Sequence, residues 1–250
     1  MDTKQPTALL PGETLEDLGN GHTIIQHQDV FAFGTDAVLL AHFAQTTGAE
    51  RAVDLGTGSG ILPLLMCARN PQLSVTGIEI QPRLAEMAKR SVELNRLESR
   101  VNIVCGDLKD APQLIGRGLD LVVANPPYER MGSGKPSGKA HVDIAKREVY
   151  CTLADVVNAG AALLRTGGRL CMICRAERFA ELMQFMREAR VEPKRVRLVC
   201  QHAGEAPNFV LAEGRRGAGP GVSFLPQLVV YDPNGTYTEE LRHIYGIGER

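Results

Sequence analysis

Val53-Asp54-Leu55-Gly56-Thr57-Gly58-Ser59-Gly60 reads as a strand that ends in a glycine-rich turn and opens onto the apolar helical pattern Ile61-Leu62-Pro63-Leu64-Leu65-Met66. Glycines at alternate positions let the chain turn sharply and bring bare backbone against a ligand. The spacing is G-x-G-x-G and not the G-x-G-x-x-G of dinucleotide folds, so no pyrophosphate is implied. Beyond this turn, strand-like and helix-like stretches alternate. Strands are expected near 51–55, 74–80, 101–105, 119–124, 168–174, 194–201, 208–213 and 226–231, and helices near 59–69, 82–97, 150–164 and 177–190. Such alternation predicts an α/β fold with a mostly parallel sheet covered by helices on both faces. Ligands of such sheets bind beyond the carboxyl ends of the strands, where strand order reverses.

Upstream, residues 14–27 read as a β-hairpin around Gly19-Asn20-Gly21, and Thr35 and Asp36 offer an N-cap to a helix carrying Val38, Leu39, Leu40 and Phe43. The expected division is a hairpin-and-helix extension over 1–48 and the sheet domain over 49–250. Gly132–Lys139 and Gly214–Gly221 have no hydrophobic period and read as loops. The 250 residues, 44% hydrophobic, suffice for one large core. No segment approaches membrane-spanning length and the N-terminus has no apolar signal region, so a cytoplasmic protein is expected.

Net charge is −1, which argues against a general nucleic-acid coat, and with no Trp and 5% aromatics a broad stacking platform is not expected. The charge is uneven, however. Residues 1–54 carry eight acidic and two basic side chains, which leaves the remainder at +5 and able to present a local basic face. Cys171-Met172-Ile173-Cys174 has the spacing of a zinc or redox pair. In a strand, residues three apart face opposite sides, and no second pair completes a metal site; none is assigned.

Glu79 closes the apolar run from Val75 and lies nineteen residues past Gly60, where a carboxylate accepts from a ribose diol. Asp54 can meet a ligand's ammonium, directly or through water. Asp107 can accept from an adenine amine or cap the following short helix. The second decisive stretch is Asn125-Pro126-Pro127-Tyr128, directly after the apolar run Leu119–Ala124. The Asn125 amide oxygen and the Pro126 carbonyl can each accept one N–H of a planar amine. Two prolines stiffen that carbonyl, and Tyr128 offers a ring for stacking. Catalysis by such a turn is orientation plus preorganised dipoles, with no covalent intermediate.

The glycine turn and the Asn-Pro-Pro-Tyr turn, in this order and each after a strand, resemble the class I S-adenosylmethionine-dependent N6-adenine methyltransferases. The stretches Phe33–Leu40, Ile144–Glu148 and Leu225–Tyr231 resemble in particular the bacterial group that acts beside the anticodon of valine tRNA, although His202-Ala203 stands where relatives often carry His-Pro. The resemblance spans residues 50–231 and implies a Rossmann-like seven-stranded sheet whose last strand is antiparallel. It implies S-adenosylmethionine as cofactor, held by Thr35, Asp54, Gly56, Gly58, Gly60, Glu79, Asp107 and Asn125. Asn125, Pro126 and Tyr128 would be catalytic. The partner would be the single-stranded anticodon loop of a tRNA, met by Pro127, Tyr128, Arg130, Lys135, Lys139, Arg215 and Arg216.

A protein glutamine-N5 methyltransferase shares the proline turn, because a side-chain amide is also a planar amine. Such proteins usually carry a helical domain before the glycine turn, whereas here about fifty residues, starting with a hairpin, precede it. A non-catalytic nucleotide-binding module would have no use for Asn125 and Tyr128. A P-loop at Gly138-Lys139 fails, with Ser133 in place of its first glycine and Ala140 in place of its hydroxyl residue.

Overall fold

The computed structural model describes residues 9–28, 34–126 and 151–247. The hairpin forms as expected, with β1 (Glu13–Asp17) and β2 (Thr23–His27) antiparallel and Leu15 opposite Ile25. The main sheet is built from β3 (Arg51–Leu55), β4 (Ser74–Glu79), β5 (Val101–Cys105), β6 (Leu119–Ala124), β7 (Leu164–Arg175), β8 (Val191–Cys200) and β9 (Phe209–Arg216). Their spatial order is β8-β9-β7-β6-β3-β4-β5. Every pair is parallel except those of β9, which runs antiparallel to both β7 and β8. The strand expected over 226–231 shrinks to two residues. β10 (Ser223–Phe224) and β11 (Leu228–Val229) each attach by a short parallel pairing to β8.

Helices α1 (Thr35–Phe43), α2 (Ile61–Arg69) and α3 (Pro82–Leu94) precede β3, β4 and β5; α4 (Ala111–Ile115) precedes β6, α5 (Leu153–Leu163) precedes β7, α6 (Phe179–Glu188) precedes β8 and α7 (Glu239–Ile244) closes the described chain. A capping box between Thr152 and Asp155 starts α5. Thr35 and Asp36 do not cap α1, contrary to expectation. Gly34 takes the N-cap position with extended backbone, and Thr35 and Asp36 are the first two helical residues. Their side chains are thereby turned to other partners.

Two apolar layers flank the sheet, and the hairpin and α1 belong to one of them. Ile24, Leu39, Leu40 and Phe43 share a core with Leu64, Val75 and Leu121. The segment before residue 49 therefore packs into the main core. Cys171 faces that layer and Cys174 the opposite one, as strand alternation requires, so the two thiols cannot meet. Among the described residues no helix is long and apolar enough to cross a membrane.

Candidate active site

Strand order reverses between β3 and β6, so the turn after β3 and the turn after β6 emerge side by side at the carboxyl edge of the sheet. In the first turn Gly56, Gly58 and Gly60 all have positive φ, at 77°, 56° and 90°. An added Cβ at Gly56 or Gly58 would point into open space, so both leave bare backbone facing outward. Gly60 instead sits against α3, where a Cβ would come 3.2 Å from that of Ala88. The backbone N–H groups of Gly56 and Thr57 both donate to the Ile78 carbonyl at 2.9 Å, tying the turn to β4. Gly77 makes room for it, since a Cβ there would lie 2.8 Å from the Thr57 side chain.

Two carboxylates flank this turn. Glu79 Oε2 accepts from the Gly58 N–H and Oε1 from the Gln81 N–H, both at 2.9 Å. Burial raises its pKa, and these N–H groups oppose the shift. Asp54 is more extreme. It is 1% exposed, and neither carboxylate oxygen has a hydrogen-bond partner. Burial pushes its pKa up to about 7; the nearby Thr57 hydroxyl opposes the rise and the Glu79 charge adds to it. The Thr57 hydroxyl is not in bonding geometry with it and is itself without a partner. Asp107 caps the 3-10 turn Leu108–Asp110 by accepting from the Lys109 N–H at 2.9 Å, the capping role its sequence also allowed.

In the second turn Asn125 Nδ2 donates to Asp36 Oδ2 at 3.0 Å, and Pro126 is buried behind it. Asp36, itself buried, comes from the first turn of α1 and was not recognised in the sequence as a partner of Asn125. The two are eighty-nine residues apart, and a hydrogen bond at that separation leaves no local pattern. Next to Asp36, Thr35 Oγ1 accepts from the Tyr245 hydroxyl at 3.1 Å. Burial pushes the Tyr245 pKa up to about 12, so the hydroxyl keeps its proton as donor.

Tyr245 ends a row of rings that was not anticipated. Tyr237 stacks on Tyr245 with centroids 5.4 Å apart and Tyr231 on Tyr237 at 5.5 Å, and the exposed His202 lies tilted against Tyr231 at 5.6 Å. The row lies along the carboxyl edge, because His202 and Tyr231 follow the carboxyl ends of β8 and β11. The sequence has few aromatics, but the fold gathers three of its five tyrosines here.

Arg215 and Arg216 are not at this edge, which corrects their expected place beside the substrate. β9 runs antiparallel, so its last residues lie at the amino edge; Arg215 is level with Arg169 and Leu121. Asn125 is four residues further along, about 13 Å at ~3.3 Å per residue. Arg216 Nη1 donates instead to the Ala161 carbonyl at the end of α5. Pro127, Tyr128, Arg130, Lys135 and Lys139 lie outside the described residues.

The described set fits a cationic, ribose-bearing ligand: bare backbone for close approach, a carboxylate at the end of β4, and an unpaired buried carboxylate under the turn. No cluster able to hold a metal ion occurs among the described residues. A curated tRNA1(Val) (adenine(37)-N6)-methyltransferase of Porphyromonas gingivalis is 30% identical over 83% of this chain and 84% of its own. A protein of the same name from Trichodesmium erythraeum is 31% identical over 66% and 70%. Among solved structures, a predicted O-methyltransferase of Agrobacterium tumefaciens superimposes with TM-score 0.68 at 22% identity, covering 84% of this chain and 95% of that one. A geranyl diphosphate methyltransferase solved in complex with SAM shares the fold at TM-score 0.52 and 14% identity, over 73% and 84%. Residues 21–202 match the model of the methyltransferase small domain. The chain belongs to the methyltransferase small domain family and is an S-adenosylmethionine-dependent methyltransferase.

Proposed function

We propose that this enzyme methylates N6 of adenine 37, beside the anticodon of a valine tRNA, in the cytoplasm. The names of the curated relatives support the substrate. One observation carries the chemistry: the Asn125–Asp36 hydrogen bond, formed next to the glycine turn. A carboxylate only accepts, so Asp36 selects the Nδ2 end of the Asn125 amide and turns Oδ1 the other way. That oxygen then accepts one N–H of the adenine amine, and the Pro126 carbonyl accepts the other.

Fixing both protons counters delocalisation of the nitrogen lone pair into the ring and aims it at the donor. Bound S-adenosylmethionine supplies an electrophilic sulfonium methyl. Glu79 receives the ribose hydroxyls, Asp54 the ammonium, and Gly56 and Gly58 the close backbone approach; Thr35 and Asp107 border the same site. The methylated amine is acidic enough to lose its proton to water, so no dedicated base is required. Tyr128 stacks on the target base, and Arg130, Lys135 and Lys139 meet phosphates. Loop bases are already partly unstacked, which lowers the cost of presenting one to the pocket. Bases flanking the target meet the exposed end of the aromatic row at His202.

Incubation with labelled donor and tRNA lacking the modification, followed by digestion to nucleosides, should give labelled N6-methyladenosine. Label on a protein glutamine with none in nucleosides would instead establish the glutamine-N5 reading.

A further inference from the structure

Among the described residues, four buried side-chain oxygens have no hydrogen-bond partner: Asp54 Oδ1 and Oδ2, Thr57 Oγ1 and Gln26 Oε1. Three belong to the glycine turn and the strand end beneath it. The fourth comes from the hairpin. Gln26 is 5% exposed in β2, and its Nε2 donates to Ser59 Oγ of the turn at 3.4 Å. Alternation along β2 puts Ile25 on α3, packed with Leu84 and Met87, and turns Gln26 to the other side with Ile24.

The strand that carries Gln26 is firmly held. Ile25 N–H donates to Ser91 Oγ at 3.0 Å, and Thr23 N–H to Asn95 Oδ1 at 2.8 Å. Asn95 Nδ2 returns a bond to the Thr23 carbonyl at 2.6 Å, and Glu13 of β1 pairs with Arg90 of α3. The hairpin is thus pinned to α3 through main chain and side chain alike. It presents one buried amide to the glycine turn.

Buried polar atoms are rarely left unpaired, because water would otherwise have satisfied them. The unpaired oxygens here are all acceptors or hydroxyls, carried by the glycine turn, the strand end beneath it and the hairpin residue tied to that turn through Ser59, and among the described residues no cation shifts the Asp54 carboxyl. Their chemical complement is a group with several N–H donors and a positive charge. We propose that Gln26 Oε1 joins Asp54 in receiving the α-ammonium group of the methyl donor, so that the N-terminal hairpin helps select the amino-acid end of the cofactor. The inference rests on the S-adenosylmethionine reading of this site and adds a residue that the glycine-turn motif does not contain. Ser59 acts through Gln26: its hydroxyl holds the amide nitrogen and thereby turns the oxygen toward the ligand.

The test compares two thioether nucleosides. S-adenosylhomocysteine carries the amino-acid end, and 5′-methylthioadenosine lacks it. Calorimetry on wild type and Gln26→Met, a substitution close in volume, should show affinity for S-adenosylhomocysteine falling about tenfold, as loss of one hydrogen bond to a charged group predicts. Affinity for methylthioadenosine should stay within about twofold. Ser59→Ala should produce a smaller loss in the same pattern, and it carries the test should Gln26→Met fail to fold. Equal weakening of both nucleosides, or unchanged binding of S-adenosylhomocysteine, would overturn the role of Gln26. If the wild type binds neither nucleoside, the donor reading falls, and the inference with it.

Discussion

The two edges of the sheet treat their charges in opposite ways. At the amino edge, Asp120 Oδ2 accepts from the N–H groups of Glu50 and Arg51 at 2.9 and 3.0 Å, and Oδ1 accepts from Arg165 Nε at 2.7 Å. Arg117 donates to the Ala162 carbonyl, Arg169 to that of Thr47 and Arg216 to that of Ala161. At the carboxyl edge, Asp54 is more deeply buried and both its oxygens are unpaired. The amino edge satisfies its polar groups internally and contributes stability. The carboxyl edge leaves acceptors without partners, which costs stability and keeps them available to a ligand.

The sharpest break of this contrast is at Asn125. Asn125→Ala should lower turnover by about 10²–10³-fold, the usual effect of removing one preorganised polar contact, and donor affinity far less, because its amide oxygen is assigned to the acceptor amine although the resemblance also puts Asn125 beside the donor. Asp36→Asn should reduce turnover less, since the new amide also permits the flipped orientation of Asn125. Single-turnover assays and donor titrations on both variants would check this, and wild-type rates in Asn125→Ala would remove the proposed role.

Asp54→Asn should separate function from stability. The folded-state pKa of Asp54 is raised from 3.8 to about 7, so its ionised form opposes folding. That penalty is absent below about pH 4, grows between about 4 and 7, and is full above 7. The variant should therefore melt at higher temperature than the cofactor-free wild type at pH 8 and match it near pH 4. The same ionisation governs binding. Pairing with an ammonium needs the carboxylate, so donor affinity should fall by up to tenfold per pH unit below about 7. It should fall again above about 8, where an α-amino group loses its proton. Loss of the acid limb in Asp54→Asn, alongside weaker binding at pH 7.5, is the expected outcome; an unchanged pH profile would contradict it.

The amino edge should respond in the reverse sense. Burial pushes the Asp120 carboxyl up, but Arg165 and the N–H groups of Arg51 and Glu50 outweigh it and hold it below the usual range. A depressed carboxylate adds stability above its unfolded pKa and loses it as pH falls through the folded value. Asp120→Ala should cost about 1–2 kcal/mol in denaturant titrations at pH 7. The cost should shrink in acid, with turnover per folded molecule unchanged.

The smallest effect is expected for Arg215→Ala combined with Arg216→Ala. Because both lie at the amino edge, the salt dependence of tRNA binding should hardly change. Neutralising Lys135 and Lys139 should flatten the log–log slope by about 0.7 for each phosphate they no longer neutralise. A marked flattening from the arginine pair would show that the RNA wraps around the sheet.

Much of this site was legible in the chain because its signals are local. Val53–Gly60 and Leu119–Pro126 each join a strand to a turn within ten residues, and strand direction alone puts both turns at one edge. Glu79 stands out in the sequence by its distance from the glycines, and its carboxylate accepts from the Gly58 N–H of the turn. Arg215 and Arg216 were misplaced because a basic pair does not reveal which end of an antiparallel strand it occupies. Thr35 and Asp36 looked like caps because a cap is the usual use of such residues before an apolar run.

The sequence by itself determined the α/β alternation, the hairpin, the glycine turn with its acidic neighbours, and the amide-proline turn, since each follows from backbone preferences and hydrophobic period over a few residues. Only the tertiary structure decided that Asp36 orients Asn125, that Gln26 reaches the glycine turn, that three tyrosines line the carboxyl edge and that Arg215 and Arg216 face away from it. Those are contacts across tens to hundreds of residues. Their partners are chosen by how the layers pack, which no local pattern records.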